Sequence, residues 1–165
     1  MHAVPRLRQM PSTSKLGWLM GLYAENFERL GRMLDIDHLA PGSYASRCAH
    51  GLDLMVEVLG VHAYTVELRL SYRMPDPVTG QPDPSAYVRV YRDARQAEVT
   101  HCYVGRQWQD VLGVFPNPKV LFGHRLRMNT FLNKWLEYLV GQGHAPETLV
   151  ALPFAPSDAP SAAFA

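Results

Sequence analysis

Ala63-Tyr64-Thr65-Val66-Glu67-Leu68-Arg69-Leu70-Ser71-Tyr72 alternates apolar and polar residues along its whole length. Successive side chains of a strand point to opposite faces. Tyr64, Val66, Leu68, Leu70 and Tyr72 therefore share one face, and Thr65, Glu67, Arg69 and Ser71 the other. One packed face and one solvated face is the mark of an antiparallel sheet. The same period extends outward. Residues 52–59 set Leu54, Val56 and Val58 against Met55, Glu57 and Leu59. Residues 86–92 set Val88 and Val90 against Tyr87, Arg89 and Tyr91. Residues 96–104 set Ala97, Val99, His101 and Tyr103 against Gln96, Glu98, Thr100 and Cys102, and a shorter strand is expected at 44–48. The connections are short: His50-Gly51, Gly60 and Arg92-Asp93-Ala94, with one long Pro-rich loop from Met74 to Ser85. Strands in sequence with no helix between them make a meander, not βαβ units.

Helical periodicity brackets the meander. Leu16, Leu19, Tyr23, Phe27, Leu30 and Leu34 recur at steps of three and four, which predicts a helix over 14–34. Leu126, Met128, Phe131, Leu132, Trp135, Leu136 and Leu139 predict a second over 121–140, with Pro116-Asn117-Pro118 as a stop before it. The expected fold is α+β in two layers. An antiparallel meander of about five strands is flanked in sequence by an N-terminal and a C-terminal helix, both packed on one face. Residues 1–11 read as a flexible N-terminus and 12–142 as a single domain. Residues 143–165 read as a mostly disordered Ala/Pro-rich tail with one sticky patch, Leu149, Val150, Leu152 and Phe154.

Composition excludes several classes. Sixteen Lys and Arg stand against fifteen Asp and Glu, a net charge of +1. So neutral a chain has no bulk field to draw it to nucleic acid or anionic membranes. The apolar run Leu16–Ala24 is nine residues, far short of a membrane span. The N-terminus has no apolar stretch behind its two Arg, so no secretory signal is expected and a cytoplasmic setting is. The seven His form no His-x-His or His-Glu-x-x-His, and the two Cys join none of them, so neither metal nor cofactor is expected. Gly-x-Ser-x-Gly and the P-loop are absent.

Three stretches resemble the YqiB-like family, small bacterial proteins classed as a domain of unknown function. They are Tyr23-Ala24-Glu25-Asn26-Phe27-Glu28-Arg29-Leu30-Gly31-Arg32-Met33-Leu34, then 87–99, then Phe115-Pro116-Asn117-Pro118-Lys119 with 129–136. His62-Ala63-Tyr64-Thr65 is similar as well. Where the family enters its last helix through an acidic-basic run, this chain has Gly123-His124-Arg125, so no role of those family carboxylates carries over. The resemblance implies a fold and a bacterial cytosolic setting, and no activity.

Two groups of residues are candidates for chemistry. Strand parity puts Glu57, Glu67, Arg69, Arg89 and Glu98 on the uncovered sheet face, with Tyr87 and Tyr91 beside Arg89. Arg89 there would clamp a carboxylate or phosphate. The plainer reading is a solvated face laced with cross-strand ion pairs. The second group is Lys119, His124, Arg125 and Arg127 at the last helix, with Arg106 before it, an anion-friendly start to a helix. Its plainer reading is a solvated basic turn.

The sequence therefore points first to a non-catalytic binding or regulatory module for a small anion-bearing ligand, through Glu57, Arg89, Tyr91, Glu98, Lys119, Arg125 and Arg127. An enzyme acting on a small phosphorylated or nucleotide-like substrate is the alternative, with Glu57 or Glu98 as acid or base. A protein-interaction module, such as a homodimer, is the third. Convergence of Glu57, Arg89 and Glu98 in one pocket would favour the enzyme; pairing across a flat face would disfavour it.

Overall fold

The structure is a computed structural model, and it describes residues 14–73, 77–78, 80, 84–103 and 117–153. The chain runs through α1 (Lys15–Met33), β1 (Gly42–Ser46), β2 (Leu54–Val61), β3 (Thr65–Tyr72), β4 (Ser85–Tyr91), β5 (Gln96–Tyr103), α2 (Pro118–Gly141), a short 3-10 turn (Pro146–Thr148) and β6 (Leu149–Ala151). All strand pairings are antiparallel, and the six strands lie in the order β5-β4-β3-β2-β1-β6. The α+β fold of a meander between two helices is thus present. The sheet carries one strand more than the five expected.

The packed face is the one that alternation marks. Leu54, Val56 and Val58 of β2, Val66, Leu68 and Leu70 of β3, Ala86, Val88 and Val90 of β4, and Ala97 and Val99 of β5 are all buried. They meet Leu30 and Met33 of α1 and Met128, Leu132, Trp135, Leu136 and Leu139 of α2. Trp135 needs a partner for its indole N–H, and Nε1 donates to the Tyr72 hydroxyl at 3.0 Å. Glu25–Asn133 and Arg29–Glu137 contacts step forward together, so the two helices run in the same direction. Among the described residues, no helix is long and apolar enough to cross a membrane.

The helices differ from expectation in phase and start. The buried face of α1 is Leu19, Leu22, Asn26, Leu30 and Met33, while Leu16 is 60% exposed. The face is rotated because it is centred on a polar residue, Asn26, that a count of apolar residues passes over. Helix α2 begins three residues before the expected Leu121. Asn117 caps it by accepting from the Lys119 N–H at 3.0 Å, and Pro118 takes the first helical position. Proline suits that place because its missing N–H would have had no intrahelical partner. Asn117-Pro118 is therefore a start signal for the helix.

Residues expected to belong to the tail join the fold. β6 pairs with β1 through Tyr44–Ala151, Ala45–Val150 and Ser46–Leu149. His144 is only 3% exposed, and the Leu152 N–H donates to the Ser43 carbonyl at 2.8 Å. Pairing to a ready sheet edge supplies the backbone partners that the composition of this segment does not reveal. Phe154 and residues 1–13, 104–116 and 154–165 lie outside the described residues, as do Arg106, Trp108 and Asp83.

Candidate functional site

The open face is built in cross-strand rows. Register aligns Ser43, Glu57, Arg69, Tyr87 and His101 across β1 to β5. A second row aligns Gly60, Glu67, Arg89 and Glu98 across β2 to β5. Opposed charges on neighbouring strands form pairs within these rows. Arg69 Nη1 donates to Glu57 Oε2 at 3.0 Å, and Arg69 Nε to Ser85 Oγ at 3.1 Å. The Arg69 guanidinium also lies 5.7 Å from the Tyr87 ring centre. In the second row, Arg89 Nη2 and Nε both donate to Glu67 Oε1, at 3.0 and 3.3 Å. The pairs are partly exposed, so each contributes at most about 1 kcal/mol.

Two β-bulges shape this face. Between Val58 and Gly60 the register of β2 on β3 shifts, which makes Leu59 an extra residue. Between Tyr87 and Val88 the register of β4 on β5 shifts, which makes Thr100 the extra residue. A bulge breaks alternation. His101 consequently sits opposite Tyr87 on the open face, its ring edge-on to the phenol, and Cys102 packs on the core. Uninterrupted parity would have placed both on the opposite sides. A depression of about 110 Å³ opens between the bulges, lined by Leu59, Glu67, Leu68, Tyr87, Val88, Arg89 and Thr100.

The second row ends in a tyrosine–carboxylate cluster. The Tyr91 hydroxyl donates to Glu98 Oε1 at 2.8 Å and accepts from Arg89. Burial pushes the Tyr91 phenol up, and the bond to Glu98 adds to it while Arg89 opposes. The bonds to Tyr91 and then Glu67 hold the Arg89 guanidinium still more firmly protonated than usual. Tyr23 of α1 reaches the same carboxylate. Its phenol is also pushed up, by burial first and by the Glu98 charge second, with Arg125 opposing.

The candidates divide accordingly. Arg89, Tyr91 and Glu98 form one chain of hydrogen bonds, and Arg125 comes within electrostatic reach of its end through Tyr23. Glu57 does not join them. It stands on β2, paired with Arg69 of β3 and three strand spacings from Glu98, which is about 14 Å or more. Lys119 and Arg127 do not gather at the start of α2 either: eight residues of helix separate them, about 12 Å of rise. Arg127 instead lies by His124, whose imidazole is pushed down by burial and then by the Arg127 charge. Among the described residues, no group of three His, Cys, Asp or Glu is disposed to hold a metal ion.

Sequence reading missed two things here. Tyr23 looks like a core stripe residue and is a ligand of Glu98. Ser46 and His144, nearly a hundred residues apart, meet with Ser46 Oγ 2.7 Å from His144 Nδ1. At 2% and 3% exposure neither can reach a substrate, so the pair is not a nucleophile and its base.

No curated protein and no solved structure matches the chain. A family model does, the one described as a protein of unknown function (DUF1249), over residues 29–145. That match takes in the end of α1, β1 to β5 and all of α2, and with them both charged rows of the open face. On that extent, the chain belongs to the DUF1249 family.

Proposed function

We propose that this protein is a non-catalytic binding module, that the open sheet face is its contact surface, and that Arg89 takes the anionic group of a small ligand there. The resemblance of the three quoted stretches supports a further reading, that it is a YqiB-like protein of bacteria in a cytoplasmic setting. The observation that carries the binding reading is the depression of about 110 Å³ with Arg89 in its wall. Drug-sized ligands need roughly 300–1,000 Å³. The space suits a carboxylate or phosphate group and leaves the rest of a ligand lying over the sheet. Arg89 carries five N–H bonds. Two go to a single oxygen of Glu67 and another meets Tyr91, so donors remain for a second anion.

The enzyme alternative loses support from the same geometry. An acid and a base that flank one scissile bond stand roughly 5–9.5 Å apart in the glycosidase case. Glu57 and Glu98 are farther apart than that, and each already has its own partner.

A thermal-shift screen with inorganic phosphate and small mono- and dicarboxylates tests the reading. A raised melting temperature is expected for the wild type. It should vanish in Arg89→Met and persist in Arg32→Met, whose side chain sits on α1. An Arg89→Met protein that melts normally and keeps the full shift would remove Arg89 as the anion clamp.

A further inference from the structure

We propose that residues 144–152 form a latch on β1 that loosens when His144 takes up a proton. The latch is small. β6 has three residues and Val150 is 63% exposed, so the segment is held chiefly by its polar anchor and its backbone pairing. The anchor is a chain of hydroxyls. Ser46 Oγ lies 2.7 Å from His144 Nδ1 and 2.6 Å from Thr148 Oγ1. Thr148 Oγ1 in turn lies 2.9 Å from the Ala145 carbonyl and accepts from the Ala145 N–H at 3.0 Å. The Leu52 backbone acts on the same ring and raises its proton affinity.

With the ring protonated, both of its nitrogens carry hydrogen and the direction of the chain is fixed. Nδ1–H then donates to Ser46, Ser46 to Thr148, and Thr148 to the Ala145 carbonyl. No hydrogen bond is lost, so the penalty is the burial of one positive charge. Burial is accordingly the main influence on this imidazole and lowers its proton affinity; the Leu52 backbone and Asp53 act the other way. Asp53 is itself flanked by Arg47 at 3.5 Å and Arg73 at 3.9 Å, which share its charge. Cys48 belongs to the same β1–β2 connection, and Glu147 to the latch itself.

The sign follows from which state binds the proton better. The imidazole freed by opening titrates near 6.5, and the docked one below that. Docking is therefore at full strength above pH 6.5 and weakens as pH falls through 6.5 toward the docked value. Between pH 7.5 and 5.5 the opening equilibrium can rise by at most about tenfold, because one proton is involved.

Hydrogen exchange of the full chain, read by mass spectrometry at both pH values and corrected for intrinsic exchange, measures this. Peptides covering 145–152 should exchange several-fold faster at pH 5.5, up to the tenfold limit, while peptides of β3 do not change. In His144→Gln, which cannot be charged, the pH difference should disappear. Proton NMR of the wild-type imidazole supplies a reading that needs no variant. It should titrate below 6.5, over the pH range in which the latch peptides lose protection. Equal corrected rates at both pH values, an unchanged pH response in His144→Gln, or an imidazole titrating at or above 6.5 would each overturn the latch.

Discussion

Asn129→Ala is expected to destabilise the protein by about 2 kcal/mol, seen as a lower urea midpoint at unchanged slope. Asn129 is fully buried, and its side chain is spent on two backbone groups. Oδ1 accepts from the Val99 N–H of β5 at 3.0 Å, and Nδ2 donates to the Arg125 carbonyl at 2.9 Å. β5 is an outer strand of the sheet. Its Val99 N–H sits beside the bulge at Thr100, and Asn129 supplies its acceptor. Alanine removes that acceptor from a place water does not reach. The orphaned donor costs about 1–3 kcal/mol, and the gain in helix propensity from Asn to Ala is under 1 kcal/mol. A second effect distinguishes this from mere loss of packing. With its outer N–H freed, β5 should exchange amide hydrogens faster near Val99 than near Ala97.

How much of this was legible without coordinates depends on whether the cause is local. The alternation in β3 is local, and with it came the packed face, the meander and the class of fold. The apolar faces of the helices are local too, apart from the phase of α1. Pairing partners are not. Residues 63–72 contain both Glu67 and Arg69, yet only register says that Arg69 turns to Glu57 and Arg89 to Glu67. The bulges at Leu59 and Thr100 are counts of one strand against another, so the flip of His101 and Cys102 has no signature in 96–104. β6 is the same case at larger range. Three residues of Leu-Val-Ala become a strand because β1 offers an edge, and Ser46 and His144 meet only once that has happened.

The candidate site shows the same division. Strand parity gathers Arg89, Tyr91 and Glu98 on one face, and they form one hydrogen-bonded chain. Glu57 shares that face at a distance parity does not measure. Lys119 and Arg127 were grouped by sequence proximity, and a helix that begins at Pro118 spreads them along its axis. Sequence proximity assigns Arg125 to an anion at the helix start as well. It lies instead toward Tyr23 and Glu98, which links the helix to the edge of the open face.

Asn26→Ala, the same substitution on the facing helix, is expected to move stability the other way, upward by about 1–2 kcal/mol. Asn26 is also fully buried, but among the described residues neither its Oδ1 nor its Nδ2 has a hydrogen-bond partner. The neighbouring asparagines are bonded elsewhere. Asn129 serves Val99 and Arg125, while Asn133 accepts from Arg29 at 2.8 Å and donates to Glu25 at 3.0 Å. The Asn26 amide has therefore given up water for nothing in return, which for an unpaired polar group is a net cost. Alanine removes both polar atoms, adds helix propensity, and opens a space too small to undo those gains. Because the two substitutions delete the same atoms from helical, fully buried sites, propensity and solvation largely cancel between them. The difference in their effects, about 3–4 kcal/mol, then measures what hydrogen bonding alone is worth at this junction of α1, α2 and β5. Urea unfolding of the two variants beside the wild type supplies that number. A loss of stability in Asn26→Ala matching that in Asn129→Ala would mean that the amide is paired after all, with an internal water as the simplest partner.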